Sequence, residues 1–114
     1  MPGKLSTHVL DLTTGQPAAG MLIELWKYGD EPRMIKSVRT NSDGRTDSPL
    51  LEHLEMEPGT YELNFFVRDY FEERRVQCPF LDEVPVRFLI TDPGAACHVP
   101  LLVSPWAYST YRGS

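Results

Sequence analysis

Apolar and polar residues alternate along most of this chain, and turn-forming residues cut the alternation at short intervals. Residues 5–12 (LSTHVLDL) run into Thr14, Gly15 and Pro17, residues 21–28 (MLIELWKY) into Gly29, Asp30 and Pro32, and residues 34–40 (MIKSVRT) into Asn41, Asp43 and Gly44. A short apolar piece follows near 50–54, and Pro58 and Gly59 launch the run 60–67. Later runs cover 84–90, closed by Asp92, Pro93 and Gly94, then 98–103, broken by Ser104 and Pro105, then 106–111. Period-two alternation bounded by such turns predicts strands. Only 69–76 reads as helix, with Asp69 suited to its N-cap. Ten prolines and eight glycines leave no room for long helices. The expected fold is all-β: a two-sheet sandwich of about eight short strands with one short helix, a single domain over residues 1–114.

Side-chain parity sorts the polar residues. Within 98–103, Val99, Leu101 and Val103 share one face, the expected core face, while His98, Pro100 and Leu102 share the other. In the first strand Val9 lies on one face, and His8 and Leu10 lie on the opposite one. Leu10 and Leu102 are apolar although they point away from the core. On a sheet read as antiparallel, a second apolar face predicts burial against another subunit. An oligomer with two histidines inside its interface is expected.

The totals narrow the function. A chain of 114 residues with 41% apolar and 24% charged residues is ordinary for a soluble globular domain. A net charge of −5 argues against nucleic acid and anionic membrane surfaces as partners. No apolar run reaches the ~20 residues that span a bilayer. The first residues carry no apolar leader and the last no Ser-Lys-Leu address. A cytoplasmic location is therefore expected, or the periplasm for a chain whose leader has been removed. Two cysteines, Cys78 and Cys97, are too few for a disulfide framework and are expected as thiols, the alternative being one bridge in an oxidising compartment.

Histidine is the side chain best matched to proton transfer near neutral pH. Of the three here, His53 sits among acids in LEHL and reads as surface. His8 and His98 would each pass for an ordinary strand histidine, but their shared parity beside apolar neighbours makes the pair a candidate site. Arg45 ends the tight turn NSDGR, which reads either as a solvated turn or as a rigid mount for a guanidinium that matches paired oxygens. There is no glycine-rich phosphate loop, nucleophile elbow or paired-carboxylate arrangement. A metal site from His8, Cys97 and His98 is disfavoured, because neighbours 97 and 98 point to opposite faces. The tail Tyr111-Arg112-Gly113-Ser114 follows strand-like residues directly, and is expected to be held in place rather than frayed.

These segments resemble the transthyretin-like family, and within it the 5-hydroxyisourate hydrolases of purine catabolism. The resemblance spans nearly the whole chain: LSTHVLD at 5–11, GQPA at 15–18, TNSDGR at 40–45, PGTY at 58–61, Phe80, HVPLLVSP at 98–105 and YSTYRGS at 108–114. The terminal YRGS is its most specific part, since the hormone-carrying transthyretins lack it. One departure stands out: where the family commonly has His-Tyr-His-Val-Pro, this chain has Ala96 and Cys97 before His98. The resemblance implies a hydrolase that needs no cofactor and opens the six-membered ring of 5-hydroxyisourate. It implies a homotetramer of β-sandwiches with active sites at the dimer–dimer contact. His8, Arg45, His98 and Ser114 are implied as catalytic. Tyr111 is expected with them in binding substrate, and Arg112 in an ion pair holding the tail. The alternatives are a non-catalytic carrier of small ligands and a structural β-sandwich module.

Overall fold

Along the first strand, β1 (Lys4–Asp11), every second residue is buried: Leu5, Thr7, Val9 and Asp11 face inward, and Lys4, Ser6, His8 and Leu10 face out. The same period recurs in the strands at 22–28, 59–65 and 84–90 of the computed structural model, which describes residues 3–113. Its further strands are β2 (Gln16–Pro17), β3 (Leu22–Tyr28), β4 (Pro32–Arg39), β5 (Leu51–Glu52), β6 (Gly59–Phe65), β7 (Val84–Ile90), β8 (Ala96–Val103) and β9 (Tyr108–Thr110). A 3-10 turn, His53–Glu55, follows β5, and one helix, α1 (Val67–Glu73), follows β6.

The strands form two sheets. One has the order β2-β1-β8-β9, with β5 also on β1, and the other has the order β4-β3-β6-β7. Between them lie Leu5, Val9, Leu101 and Val103 from the first sheet, and Ile23, Leu25, Tyr61, Leu63, Phe65 and Val84 from the second. Each such aliphatic side chain removed from water contributes about 1.5–3 kcal/mol. Prolines sit where a missing N–H is tolerated: Pro32 opens the edge strand β4, and Pro85 lies on the edge strand β7.

The two-sheet sandwich matches the expectation from alternation. Several details differ. The described residues form nine strands where about eight were expected, because the two-residue β2 lacks the length to show a period. The last strand covers only Tyr108–Thr110 rather than 106–111. The helix starts two residues before Asp69, with Phe66 at the N-cap, and Asp69 lies in the first turn, where an acid also suits the helix dipole. The largest correction concerns direction. β1 and β8 run parallel, because the chain builds the second sheet between them and re-enters the first sheet in the same sense. Parity does not depend on strand direction, so the assignment of faces survives.

Candidate active site on the outer face of the first sheet

The parallel register sets Ser6 opposite His98, His8 opposite Pro100 and Leu10 opposite Leu102. Both histidines therefore stand on one outer face, on adjacent strands and two residues apart in register. Both are half-buried, as are Leu10 and Leu102. The inner neighbours Val9, Val99, Leu101 and Val103 are buried, as parity required.

Arg45 reaches this face by a route that alternation cannot show. The turn 41–45 closes on itself: Asn41 N donates to the Arg45 carbonyl at 2.7 Å, and the Asn41 side-chain oxygen accepts from the amides of Asp43 and Arg45. The Val9 amide then donates to the Gly44 carbonyl at 2.8 Å. The turn thus fills the gap on β1 between its pairings with β5 at Lys4 and Leu5 and with β2 at Leu10 and Asp11. Gly44 permits this twice over. Its φ is +73°, and a Cβ there would stand 2.4 Å from the Val9 carbonyl oxygen. The guanidinium of Arg45 is delivered next to the histidine strand, exposed and without a hydrogen-bond or ion-pair partner among the described residues.

On the far side of β8 the tail closes the row. The β8–β9 ladder runs from Val103 to Leu101 and then lapses until a single bridge joins His98 to Gly113. Pro100 lies in this gap and has no N–H to continue the ladder. Gly113 N donates to the His98 carbonyl at 2.8 Å. A Cβ on Gly113 would fall 2.4 Å from Cδ2 of the His98 ring, so only glycine lets the tail pack against that ring. Arg45, His8, His98 and Gly113 thus follow one another across the sheet, each from a different segment.

The electrostatics agree with this placement. The His98 pKa is pushed below the ordinary imidazole value, first by burial, then by the positive charges of Arg45, His8 and Lys4, while the Ser6 main chain pulls the other way. The ring is therefore neutral at pH 7 and able to accept a proton. The Ser6 hydroxyl lies 2.8 Å from His98 Nδ1. The His8 ring has no hydrogen-bond partner among the described residues.

Other expected residues are placed differently. Tyr111 and Arg112 border a cavity of about 220 Å³ with Val86, Phe88, Cys97 and Val99, at the open edge between the sheets rather than beside the histidines. Among the described residues Arg112 makes no ion pair; its charge acts instead on the Cys97 thiol, whose pKa burial pushes up. Ser114 lies outside the described residues. His53 is exposed on the 3-10 turn, 3.8 Å from Glu52. Cys78 and Cys97 are both free thiols. No cluster of three or more metal-ligating side chains occurs among the described residues. Sequence reading missed Lys4 and Ser6. Their signal was present, since 4, 6 and 8 share parity, but only the pairing of β1 with β8 brings them to His98.

A two-sheet sandwich whose outer β1–β8 face carries two imidazoles beside an arginine-bearing turn defines a transthyretin-type protein with a polar sheet face. The chain matches the HIUase/Transthyretin family over residues 5–113 and belongs to it. It is 52% identical over 116 residues to 5-hydroxyisourate hydrolase 2 of Rhizobium meliloti, covering 98% of this chain and 97% of that one. It is 43% identical over 113 residues to the mouse (Mus musculus) 5-hydroxyisourate hydrolase, covering 96% and 94%. Among solved structures, Klebsiella pneumoniae 5-hydroxyisourate hydrolase superposes with a TM-score of 0.82 at 32% identity, covering 97% of this chain and 99% of that one. Sea bream transthyretin in complex with thyroxine superposes at 0.88 with 23% identity, covering 96% and 94%, a likeness of fold alone.

Proposed function

We propose that this chain is an enzyme that hydrolyses 5-hydroxyisourate to 2-oxo-4-hydroxy-4-carboxy-5-ureidoimidazoline, a step of urate breakdown. Full-length relatives at about half identity carry that activity in their names. The single observation that carries the reading to residues is the convergence at His98. Its ring is neutral at pH 7, faces outward, and feels the charges of both Arg45 and His8.

In the proposed reaction His98 takes a proton from water as the water oxygen bonds to the ring carbonyl carbon. The carbon–nitrogen bond of the six-membered ring then breaks, and the departing nitrogen receives the proton from His98. His8 polarises or donates to the substrate. Arg45 holds its oxygens and stabilises the charge that develops on the attacked carbonyl. Ser114 is assigned to binding substrate and to catalysis. No cofactor or metal takes part.

Four chains assemble with their outer β1–β8 faces turned to one another, forming a homotetramer whose sites lie at the dimer–dimer contact. The half-buried Leu10 and Leu102 beside the histidines support this, because such apolar positions gain by being covered. Two free thiols suit a reducing compartment such as the cytoplasm.

The test is the ultraviolet decay of freshly generated 5-hydroxyisourate with and without purified protein. Enzyme accelerates the decay in proportion to its concentration. A carrier, the competing reading, binds the compound and leaves its decay no faster than in buffer.

A further inference from the structure

Among the described residues, one side chain hydrogen-bonds an imidazole of the outer face, and it belongs to Ser6. The contact follows from the register. Ser6 and His98 are partners across the parallel pair, and Oγ meets Nδ1 at 2.8 Å. The opposite edge of the ring is also occupied, since Gly113 lies so close to Cδ2 that no larger residue fits there. Held at Nδ1 on one side and at Cδ2 on the other, the ring has its tip, Cε1 and Nε2, left to face outward.

Which nitrogen carries the proton decides what that tip can do. The Ser6 main chain also acts on the ring, in the sense that favours a ring N–H. The Ser6 hydroxyl, 2.8 Å from Nδ1, can accept from a proton carried on that nitrogen. Among the described residues, the charged or titratable groups that act on the ring are Lys4 and His8 on β1 and Arg45 on its turn. None of these is an anion that would hold the proton at Nε2.

We propose that Ser6 is a positioning residue: its hydroxyl accepts a hydrogen bond from His98 Nδ1–H, leaving the lone pair of the neutral ring on Nε2 as the base that faces the attacking water. The assignment rests on the hydrolytic reading above and deepens it. The water proton moves to Nε2 while the water oxygen bonds to carbon, and Nδ1–H stays with Ser6 throughout. The resulting imidazolium is steadied by Ser6 until Nε2–H is given to the departing nitrogen. An outer-face serine thereby does for His98 what a carboxylate does for other catalytic histidines, fixing tautomer and orientation without adding a negative charge.

The experiment combines two readouts on the full chain. Nitrogen NMR of 15N-labelled protein above pH 8 reports the tautomer of His98 directly. The expected wild-type signals are a protonated Nδ1 and an unprotonated Nε2, with Ser6→Ala shifting the balance toward Nε2–H. The pH dependence of kcat and KM reports the consequence. Ser6→Ala should lower kcat about five- to tenfold with KM nearly unchanged, the loss expected for one uncharged hydrogen bond. It should also move the acid limb to lower pH, because the imidazolium loses an acceptor. Ser6→Thr, which keeps the hydroxyl, should recover most of the rate. A protonated Nε2 in the wild type overturns the proposal, as does an acid limb that moves upward in Ser6→Ala, or an unchanged rate and tautomer in that variant. Wild-type protein that does not open the substrate ring defeats the hydrolase reading instead, while the nitrogen signals still decide the role of Ser6.

Discussion

The two faces of the β1–β8 pair both carry polar groups, and they treat them in opposite ways. Inside, Asp11 is almost fully buried, and its carboxylate is answered at both oxygens. Tyr70 donates to Oδ2 at 2.8 Å, and the Thr13 amide and hydroxyl donate to Oδ1 at 2.8 and 2.6 Å. Tyr70 in turn lies under the Arg74 guanidinium, 3.8 Å from its ring centroid, and Arg74 caps the Tyr70 and Ala19 carbonyls. Burial and the Asp11 hydrogen bond push the Tyr70 pKa up to about 12, so its hydroxyl keeps its proton and its donor role at any ordinary pH. Outside, among the described residues, His8 and Arg45 have no partner, and His98 engages one nitrogen with Ser6 while the other has none. A buried polar group without partners would cost about 1–3 kcal/mol, so the inner cluster must be complete to exist. The outer cluster is half-exposed, and its open valences are tolerable there. Saturation marks a group that holds the fold, and incompleteness marks one kept for a ligand.

This contrast predicts that the two clusters fail differently. The largest effect belongs to His98→Asn, which should lower kcat by about 10²–10⁴-fold and leave the melting temperature near that of wild type. Equal turnover in that variant would remove His98 from the mechanism. Asp11→Ala should do the reverse. Loss of its acceptor from Tyr70 should cost about 2–3 kcal/mol and lower Tm by roughly 10 °C. Molecules that remain folded should keep their turnover. A large kcat loss without a change in Tm would show that the inner cluster is not merely structural.

The smallest effect is on pH dependence, and its sign follows from the lowered pKa of His98. Activity should rise with pH as the ring loses its proton, with the half-point below the ordinary value of 6.5. Arg45→Gln removes one of the charges responsible and should move that half-point upward. Stability moves in the same sense. As pH falls through the ordinary imidazole range, the unfolded chain takes up the His98 proton before the folded one does, so this group's contribution to stability is lost in acid. Melting curves of wild type and His98→Asn across that range should converge above it and separate below it. Parallel curves throughout would mean that the ring is not perturbed by folding.

Much of the site was legible before any coordinates. Strand periodicity put Val99, Leu101 and Val103 inward and His8 and His98 outward, and Asp43-Gly44 marked the turn that carries Arg45. The helix boundary slipped by two residues because Asp69 suits the first turn as well as the cap. The antiparallel reading of the first sheet was wrong because a period of two is the same in either direction. The tail was read as one strand through 106–111, whereas Pro100 interrupts the ladder and Tyr111 turns to a different cavity from the histidines.

The amino-acid sequence by itself determined which side chains share a face, where the chain turns, and which family it resembles, for these are local properties of alternation and turn chemistry. Tertiary structure alone decided that β8 returns beside β1 in parallel, that Ser6 meets His98, that the Arg45 turn occupies the gap at Val9, and that Gly113 abuts the imidazole. Those contacts join segments as many as 92 residues apart. They depend on how the second sheet routes the chain between them, which no local pattern encodes.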